Sequence, residues 1–368
     1  MKLFNNFSLK NKKEYHKAQN FLEMGNYAEA LDIFNTLLEK NFHVFYVLSN
    51  LIIIHKELNS LNVLLDKIND LMNDKQYNRE ELLIQKGYAL YLLKDYDNAI
   101  ECFDEVLNND SDNLWACFYK FKVLKDMNVD VNFNLLFLKI KECDPDYYLS
   151  LSLGEFFLEL GLMEESLFCF DLSLKKNSKN CNALIYKGLC LKEMGMYDKS
   201  LNTLDTCLEL DPNNLIAWNY KGTIYNLMGK YHDALECFDK CLSIDSNSVP
   251  AIVNKATSYF HLGNIDVSLK CCEFALKLDS TNCPVWDNYA TFLFHANRLD
   301  ESLNAYDHAL ELCPKNINLL KNKLILLFNM GKWEEVFIFA DEILNFDNEL
   351  DWVEDYKRLA LEELNKSN

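Results

Sequence analysis

The sequence predicts an all-α, right-handed superhelical solenoid of about ten helix-turn-helix units plus a C-terminal capping helix, and three observations carry that prediction. The first is a recurring 34-residue unit, seen at residues 215–248 as LIAWNYKGTIYNLMGKYHDALECFDKCLSIDSNS and again on both sides of it. The second is the glycines. All 10 fall at two places in the unit: Gly87, Gly154, Gly188 and Gly222 at position 8, and Gly25, Gly161, Gly195, Gly229, Gly263 and Gly331 at position 15. The third is the 5 prolines, which either follow the second helix (Pro145, Pro212, Pro314) or stand in the first turn of the next (Pro250, Pro284), where a missing N–H costs little. A wrong register would scatter both residue types.

Taken in order, residues 1–10 carry no period and are expected to form a loose tail. The units then run 11–44, 45–79, 80–113, 114–146, 147–180, 181–214, 215–248, 249–282, 283–316 and 317–350. Position 15 ends the first helix, where glycine takes the left-handed conformation that stops it. Position 8 lies inside the first helix, where glycine is unfavourable unless two backbones come close, and position 20 on the second helix is the expected neighbour. Small residues face each other there in seven units, as in Gly222 and Ala234. Bulky ones do in three, Ile52/Leu64, Phe121/Phe133 and Leu324/Val336, so wider helix spacing is expected in units 2, 4 and 10. Units 2 and 4 also lack both glycines, which predicts irregularity near them. Residues 351–364 open with Asp351 and Glu354 in capping-box spacing and offer Trp352, Tyr356, Leu359 and Leu361 as an apolar face. This is the expected terminal helix (351–368 with its tail), closing the open end of the stack.

Composition limits the function classes. The 56 acidic against 37 basic side chains give a formal charge of -19, which repels a phosphate backbone and argues against nucleic acid or an anionic membrane as partner. MKLFNNFSLK lacks the unbroken apolar core of a signal peptide, and the most apolar run, residues 42–54, is too short to span a bilayer, so a cytoplasmic location is expected. The 13 cysteines include no CxxC and follow the packing period, as Cys102, Cys169, Cys237 and Cys271 do at position 23. They read as small hydrophobes rather than as a thiol or metal site. No phosphate loop, HExxH or Gly-rich dinucleotide turn is present, and neither an enzyme nor a cofactor is expected.

The spacing of Trp218, Gly222, Tyr225, Ala234 and Phe238 resembles the tetratricopeptide repeat, and the style of Tyr186, Lys187, Gly188 and Tyr220, Lys221, Gly222 resembles archaeal and bacterial members. That resemblance implies a concave surface lined by the first helices, with positions 2, 5, 6, 9, 12 and 13 facing a ligand. The stripe is regular late in the chain. Asn254, Asn288 and Asn322 hold position 6, Thr257 and Thr291 position 9, Phe260, Phe294 and Phe328 position 12, and His261 and His295 position 13. Upstream it becomes Tyr186, Asn219, Tyr220 and Thr223, and Lys321 precedes the last asparagine. The asparagines are similar to the ladder of O-linked N-acetylglucosamine transferases and kinesin light chains, though no counterpart of the former's catalytic domain is found. Each amide offers a donor and an acceptor to an extended peptide backbone.

The phenylalanines either provide side-chain pockets or pack on the neighbouring unit. Lys192 and Lys321 oppose Glu193 and Asp287, so the stripe reads as formally neutral, and a carboxylate clamp lacks its supporting cations. A lysine row at position 7, Lys187, Lys221, Lys255 and Lys323, points away from the stripe with no function evident from sequence. The reading is a non-catalytic scaffold that holds a protein or peptide segment in its groove, with a monomer favoured. The alternative is a structural module that self-associates through Trp333, Phe337 and Phe339 if the last helix is displaced.

Overall fold

The computed structural model describes residues 2–346 and 350–367, all helices and turns, with no strand among them. The chain divides into two compact units, residues 1–176 and 177–368. Unit 1 stacks five helix pairs: α1 (Lys2–Glu23) with α2 (Tyr27–Glu39), α3 (Val44–Glu57) with α4 (Leu61–Leu71), α5 (Arg79–Leu92) with α6 (Tyr96–Asn109), α7 (Leu114–Asp126) with α8 (Phe133–Glu142), and α9 (Tyr147–Glu159) with α10 (Met163–Lys176). Unit 2 stacks five more and one closing helix: α11 (Cys181–Glu193) with α12 (Tyr197–Leu210), α13 (Leu215–Leu227) with α14 (Tyr231–Ile244), α15 (Val249–His261) with α16 (Ile265–Leu278), α17 (Cys283–His295) with α18 (Leu299–Leu312), α19 (Ile317–Asn329) with α20 (Trp333–Phe346), then α21 (Asp351–Ser367). Within each unit successive first helices touch, α3 to α5 to α7 to α9 and α11 through α19, while second helices have no comparable contact with one another. The first helices therefore form the inner layer.

Turn chemistry explains the pairing. Every position-15 glycine is left-handed, with φ from 69 to 80°, and the units without one put Asn59, Lys94, Asn128 or Asn297 there at φ 51 to 64°. Asparagine tolerates that region better than most residues, which is why the pairs persist where glycine is missing. Side-chain oxygens of Asn180, Asn214 and Asn282 then cap the next first helix by accepting from the N–H three residues on, at 2.8, 3.0 and 3.3 Å.

The close approach at position 8 has a different partner from the one expected. A Cβ built on Gly222 would stand 2.5 Å from Phe238, one on Gly154 2.5 Å from Phe170, and one on Gly87 2.6 Å from Phe103. These rings sit at position 24, one helical turn beyond position 20, and fill the space that the missing side chain leaves. Position 20 acts on the backbone instead: the hydroxyls of Ser166 and Ser302 donate to the carbonyls of Gly154 and Ala290, both at 2.7 Å. Where both positions are bulky, in α3/α4, α7/α8 and α19/α20, the paired helices share the fewest close backbone approaches, and α4 and α8 are also the shortest of the described helices.

Two further expectations change. Residues 2–10 belong to α1 rather than to an irregular tail, because they hold no proline or glycine to end a helix that the first repeat already requires. On α21 the buried side chains are Val353 and Ala360, with Trp352 and Tyr356 packed against the same core, whereas Leu359 and Leu361 are exposed. A stripe running 353, 356, 360 follows the helical period of three and four residues, and Leu359 and Leu361 fall outside it.

Candidate functional site

The inner layer of unit 2 carries the predicted stripe on α13, α15, α17 and α19. Asn254 donates its amide N–H to Oδ1 of Asn219, 3.0 Å away on the preceding first helix, and its Nδ2 lies 3.4 Å from the Thr223 hydroxyl. The chain of bonds continues: Asn226 donates to the Asn254 carbonyl at 3.3 Å, and the Ser258 hydroxyl donates to Oδ1 of Asn226 at 2.8 Å. Asn322 donates in the same register to Asp287 at 3.0 Å. Asn288, between them, is half-buried and has no side-chain partner among the described residues. The amide row is thus a set of rungs between neighbouring repeats rather than a row of fully solvated groups. Thr223 and Thr257 turn their hydroxyls back to carbonyls one turn earlier, at 2.9 and 3.2 Å, and Thr291 meets the Tyr306 hydroxyl at 3.0 Å.

The aromatic row divides between the two alternatives. Phe260 stacks on Phe292 of the next repeat with ring centroids 4.6 Å apart, and Phe328 lies edge-on to Trp333 and Tyr356 at 5.0 and 5.2 Å, so both pack between elements instead of walling pockets. Phe294 is half-buried beside the exposed His295, 5.3 Å away, and the exposed His261 stacks flat on Tyr231 at 4.9 Å. Tyr186 and Tyr220 are half-buried at the upstream end, the latter under Lys192 at 5.8 Å.

The charges of the stripe, formally balanced, pair at only one of the two places where the sequence set them opposite each other. Lys192 pairs with Glu193 at 2.7 Å, but Lys321 is exposed and reaches over the Trp352 ring, 5.9 Å away, instead of toward Asp287. Asp287 has no cationic partner among the described residues. Burial holds its carboxyl above the ordinary range, and the hydrogen bond from Asn322 offsets this in part. The site therefore contains a carboxylate that a ligand donor would satisfy. Sequence reasoning counted Asp287 only as the charge opposite Lys321; the one-repeat offset that puts Asn322 on it, as Asn254 is put on Asn219, was not read from the sequence.

A second feature missed from sequence concerns the position-7 lysines. Lys221 reaches Asp205, Lys255 reaches Asp239 at 2.5 Å, and Lys323 reaches Asp307 at 2.7 Å, each sixteen residues earlier and on the preceding second helix. Lys120 with Asp104 and Lys357 with Asp341 repeat the arrangement. The row is a ladder of inter-repeat ion pairs, visible in sequence as aspartate at position 25.

The remaining candidates resolve into packing. Burial pushes the thiols of Cys169, Cys237 and Cys272 up to about 12, where they are neutral and poor nucleophiles. Among the described residues no group of three or more His, Cys, Asp or Glu is placed to hold a metal ion, and no helix is long and apolar enough to cross a membrane. Trp333 and Phe337 are covered by Phe328 and by Lys357.

Family models described as tetratricopeptide repeat match residues 14–41, 80–113, 183–214 and 216–248. Among solved structures, a tetratricopeptide repeat protein from Parabacteroides merdae is 18% identical over 77% of this chain and 98% of its own, with a TM-score of 0.54. The APC/C hetero-tetramer Cut9-Hcn1 is 13% identical over 96% of this chain and 76% of the matched chain, with a TM-score of 0.52. A thermophilic tetratricopeptide repeat protein from Thermus thermophilus is 22% identical over 50% of this chain and 99% of its own, with a TM-score of 0.45. At these identities the likeness concerns the fold. No curated protein matches the sequence.

Proposed function

The chain belongs to the tetratricopeptide repeat proteins, a family of typically non-catalytic protein-interaction adaptors, and on that premise we propose that the inner face of unit 2 holds an extended segment of a partner protein. The observation that carries this reading is the row of half-buried amides with an unused member at its centre. Among the described residues Asn288 keeps its donor and acceptor free between two engaged rungs, and Asp287 beside it has one side-chain hydrogen bond and no cation. A peptide backbone laid along α15, α17 and α19 offers alternating C=O and N–H groups to the first. A backbone N–H, or a lysine or arginine side chain, serves the second.

The test begins by selecting binders from a library of displayed extended peptides, then titrates the best into wild-type protein and into the Asn254→Ala, Asn288→Ala, Asn322→Ala triple variant. At about 0.5–1.5 kcal/mol for each neutral hydrogen bond, affinity should fall by about tenfold or more. Because two of the three amides also bridge repeats, the unfolding midpoint should drop slightly. Unchanged affinity in a helical, folded triple variant removes the assignment.

A further inference from the structure

A groove lies between α18 and α20 with α19 as its floor, and none of the amide-row residues lines it. Its main hollow has a volume of 540 Å³, and a second of 200 Å³ adjoins it. Beneath the groove Leu324 and Val336, the bulky pair of this repeat, are both fully buried in one core cluster. Leu310, Leu320, Phe339 and Ile343 make an apolar bed, and Ile338 at the edge is 59% exposed.

The rim is acidic. Four carboxylates, those of Asp307, Glu311, Glu335 and Glu342, line the two hollows against the single ammonium of Lys323. That ammonium is held by Asp307 at 2.7 Å and lies 4.4 Å over the Phe339 ring. Glu335 meets Lys332 and Glu311 meets His308, at 3.1 and 3.4 Å, both outside the hollows. Glu342 has no ion pair among the described residues.

We propose that this groove docks an amphipathic helix of a partner protein, with an apolar stripe entering the bed and flanking lysines or arginines meeting the acidic rim. Helical form follows from the walls. Three α-helices have their main-chain groups bonded internally, so they offer nothing to the bare backbone of an extended strand, whereas a helix arrives with its own backbone satisfied. Length follows from the spacing: Asp307 to Glu311 on α18 and Glu335 to Glu342 on α20 span up to two turns, about 10 Å of helix axis. Charge selects the partner, since a second copy of this chain, at -19, would bring acid to acid. The site is independent of the inner face and does not rest on the peptide reading made there.

The probe is a labelled synthetic helix of about 18 residues with leucine on one face and lysine on the other. It is titrated into the full chain beside a leucine/glutamate counterpart and a lysine peptide scrambled to lose the apolar face. Ile338→Asp, and separately Glu311→Lys with Glu342→Lys, should each weaken binding of the amphipathic lysine helix about fivefold or more, with helicity and unfolding midpoint retained. Glu209→Lys with Glu236→Lys, two exposed acids on α12 and α14, should change it less than about twofold. The proposal is overturned if the control pair weakens binding as much as the groove pair, if the scrambled or glutamate peptide binds equally, or if folded groove variants bind as wild type does. Sedimentation of the unliganded chain supplies the last arm: a dimer abolished by Ile338→Asp would make a second copy the occupant and also overturn it.

Discussion

Position 2 of the repeat holds Lys12, Tyr46, Glu81, Trp115 and Tyr148 in unit 1, and Asn182, Ile216, Pro250, Pro284 and Asn318 in unit 2, so aromatic rings stand there in unit 1 alone. In unit 1 the rings reach one another across the inner face. Tyr46 of α3 lies 4.8 Å from Tyr148 of α9, three helix pairs away, and Phe45 meets Trp115 at 4.9 Å. The Trp115 indole N–H donates to Asp146 at 3.2 Å, and Asn50 donates to the Tyr15 hydroxyl at 3.0 Å. That face is used for cohesion. In unit 2 no position-2 residue is aromatic, and the same face keeps half-buried amides and a carboxylate. The aromatic residues at position 2 thus mark the inner face whose side chains bond to one another.

The sharpest way to break this comparison is Trp115→Ala. The substitution removes the stack on Tyr119, the contact with Phe45 and the bond to Asp146, and should cost about 3–5 kcal/mol. Asn254→Ala, on the inner face of unit 2, should cost only about 1 kcal/mol. Thermal or denaturant unfolding of the full chain reads both, and equal losses would mean that the two faces do the same work.

Next in size is a pair of glycine substitutions that should not distinguish the units, because the frame beneath the two faces is shared. Gly154→Ala and Gly222→Ala each place a Cβ 2.5 Å from a fully buried ring, Phe170 or Phe238. Overpacking of this kind costs about 1–3 kcal/mol, offset by somewhat under 1 kcal/mol of better helix propensity. Gly188→Ala meets only the flexible Leu204 at 3.0 Å and should cost less than either. Similar losses for all three would show that ring position is not what excludes a side chain at position 8.

A smaller effect separates the two readings of Asp287. Burial raises its folded-state carboxyl above the ordinary 3.8, so the folded protein disfavours the ionised form. The penalty is absent below the ordinary value and complete above the raised one. Stability should therefore fall as pH rises through that window. Asp287→Asn can still accept from Asn322, removes the charge, and should stabilise the fold at pH 7 by under about 1 kcal/mol while weakening any ligand that donates to the carboxylate. A loss of stability in the variant would reveal that the carboxylate is already satisfied.

How much of this was legible beforehand depended on range. The 34-residue period, the left-handed turns and the first-helix stripe are written in spacings of one unit, and Gly229 or Asn297 announces its turn without help from elsewhere. The bonds from Asn254 to Asn219 and from Asn322 to Asp287 were less readable, because each joins residues 35 apart whose facing depends on how far one repeat rotates on the next. Tyr46 against Tyr148 was harder still, since contact across three pairs sums several such rotations and no local pattern encodes that sum. The neighbour of Gly222 lay within one unit and was nonetheless expected at Ala234, one turn before Phe238, because side chains on a helix lean toward its N-terminus and the covering ring sits C-terminal to the spot it covers.

The smallest predicted effect bears on what the two units have in common. Lys221 and Asp205 in unit 2, and Lys120 and Asp104 in unit 1, make the same inter-repeat ion pair, with the lysines 15% and 29% exposed and the aspartates 46% and 43%. Half-exposed carboxylates are well solvated, so a double-mutant cycle should give about 0.5–1 kcal/mol of coupling for either pair and less at high salt. For Lys221, burial opposes the charge, the bond and attraction from Asp205 outweigh it, and the ammonium is held above its ordinary 10.5. Its share of stability is therefore complete at neutral pH and is lost only as pH rises past that value. Single Lys221→Ala should cost more than the coupling alone, because the stem also covers Trp218, whose ring lies 5.5 Å from the ammonium. Matching couplings in the two units would place the ladder in the shared frame. A coupling confined to unit 2 would extend the difference between the units from the inner face to the bonds between repeats.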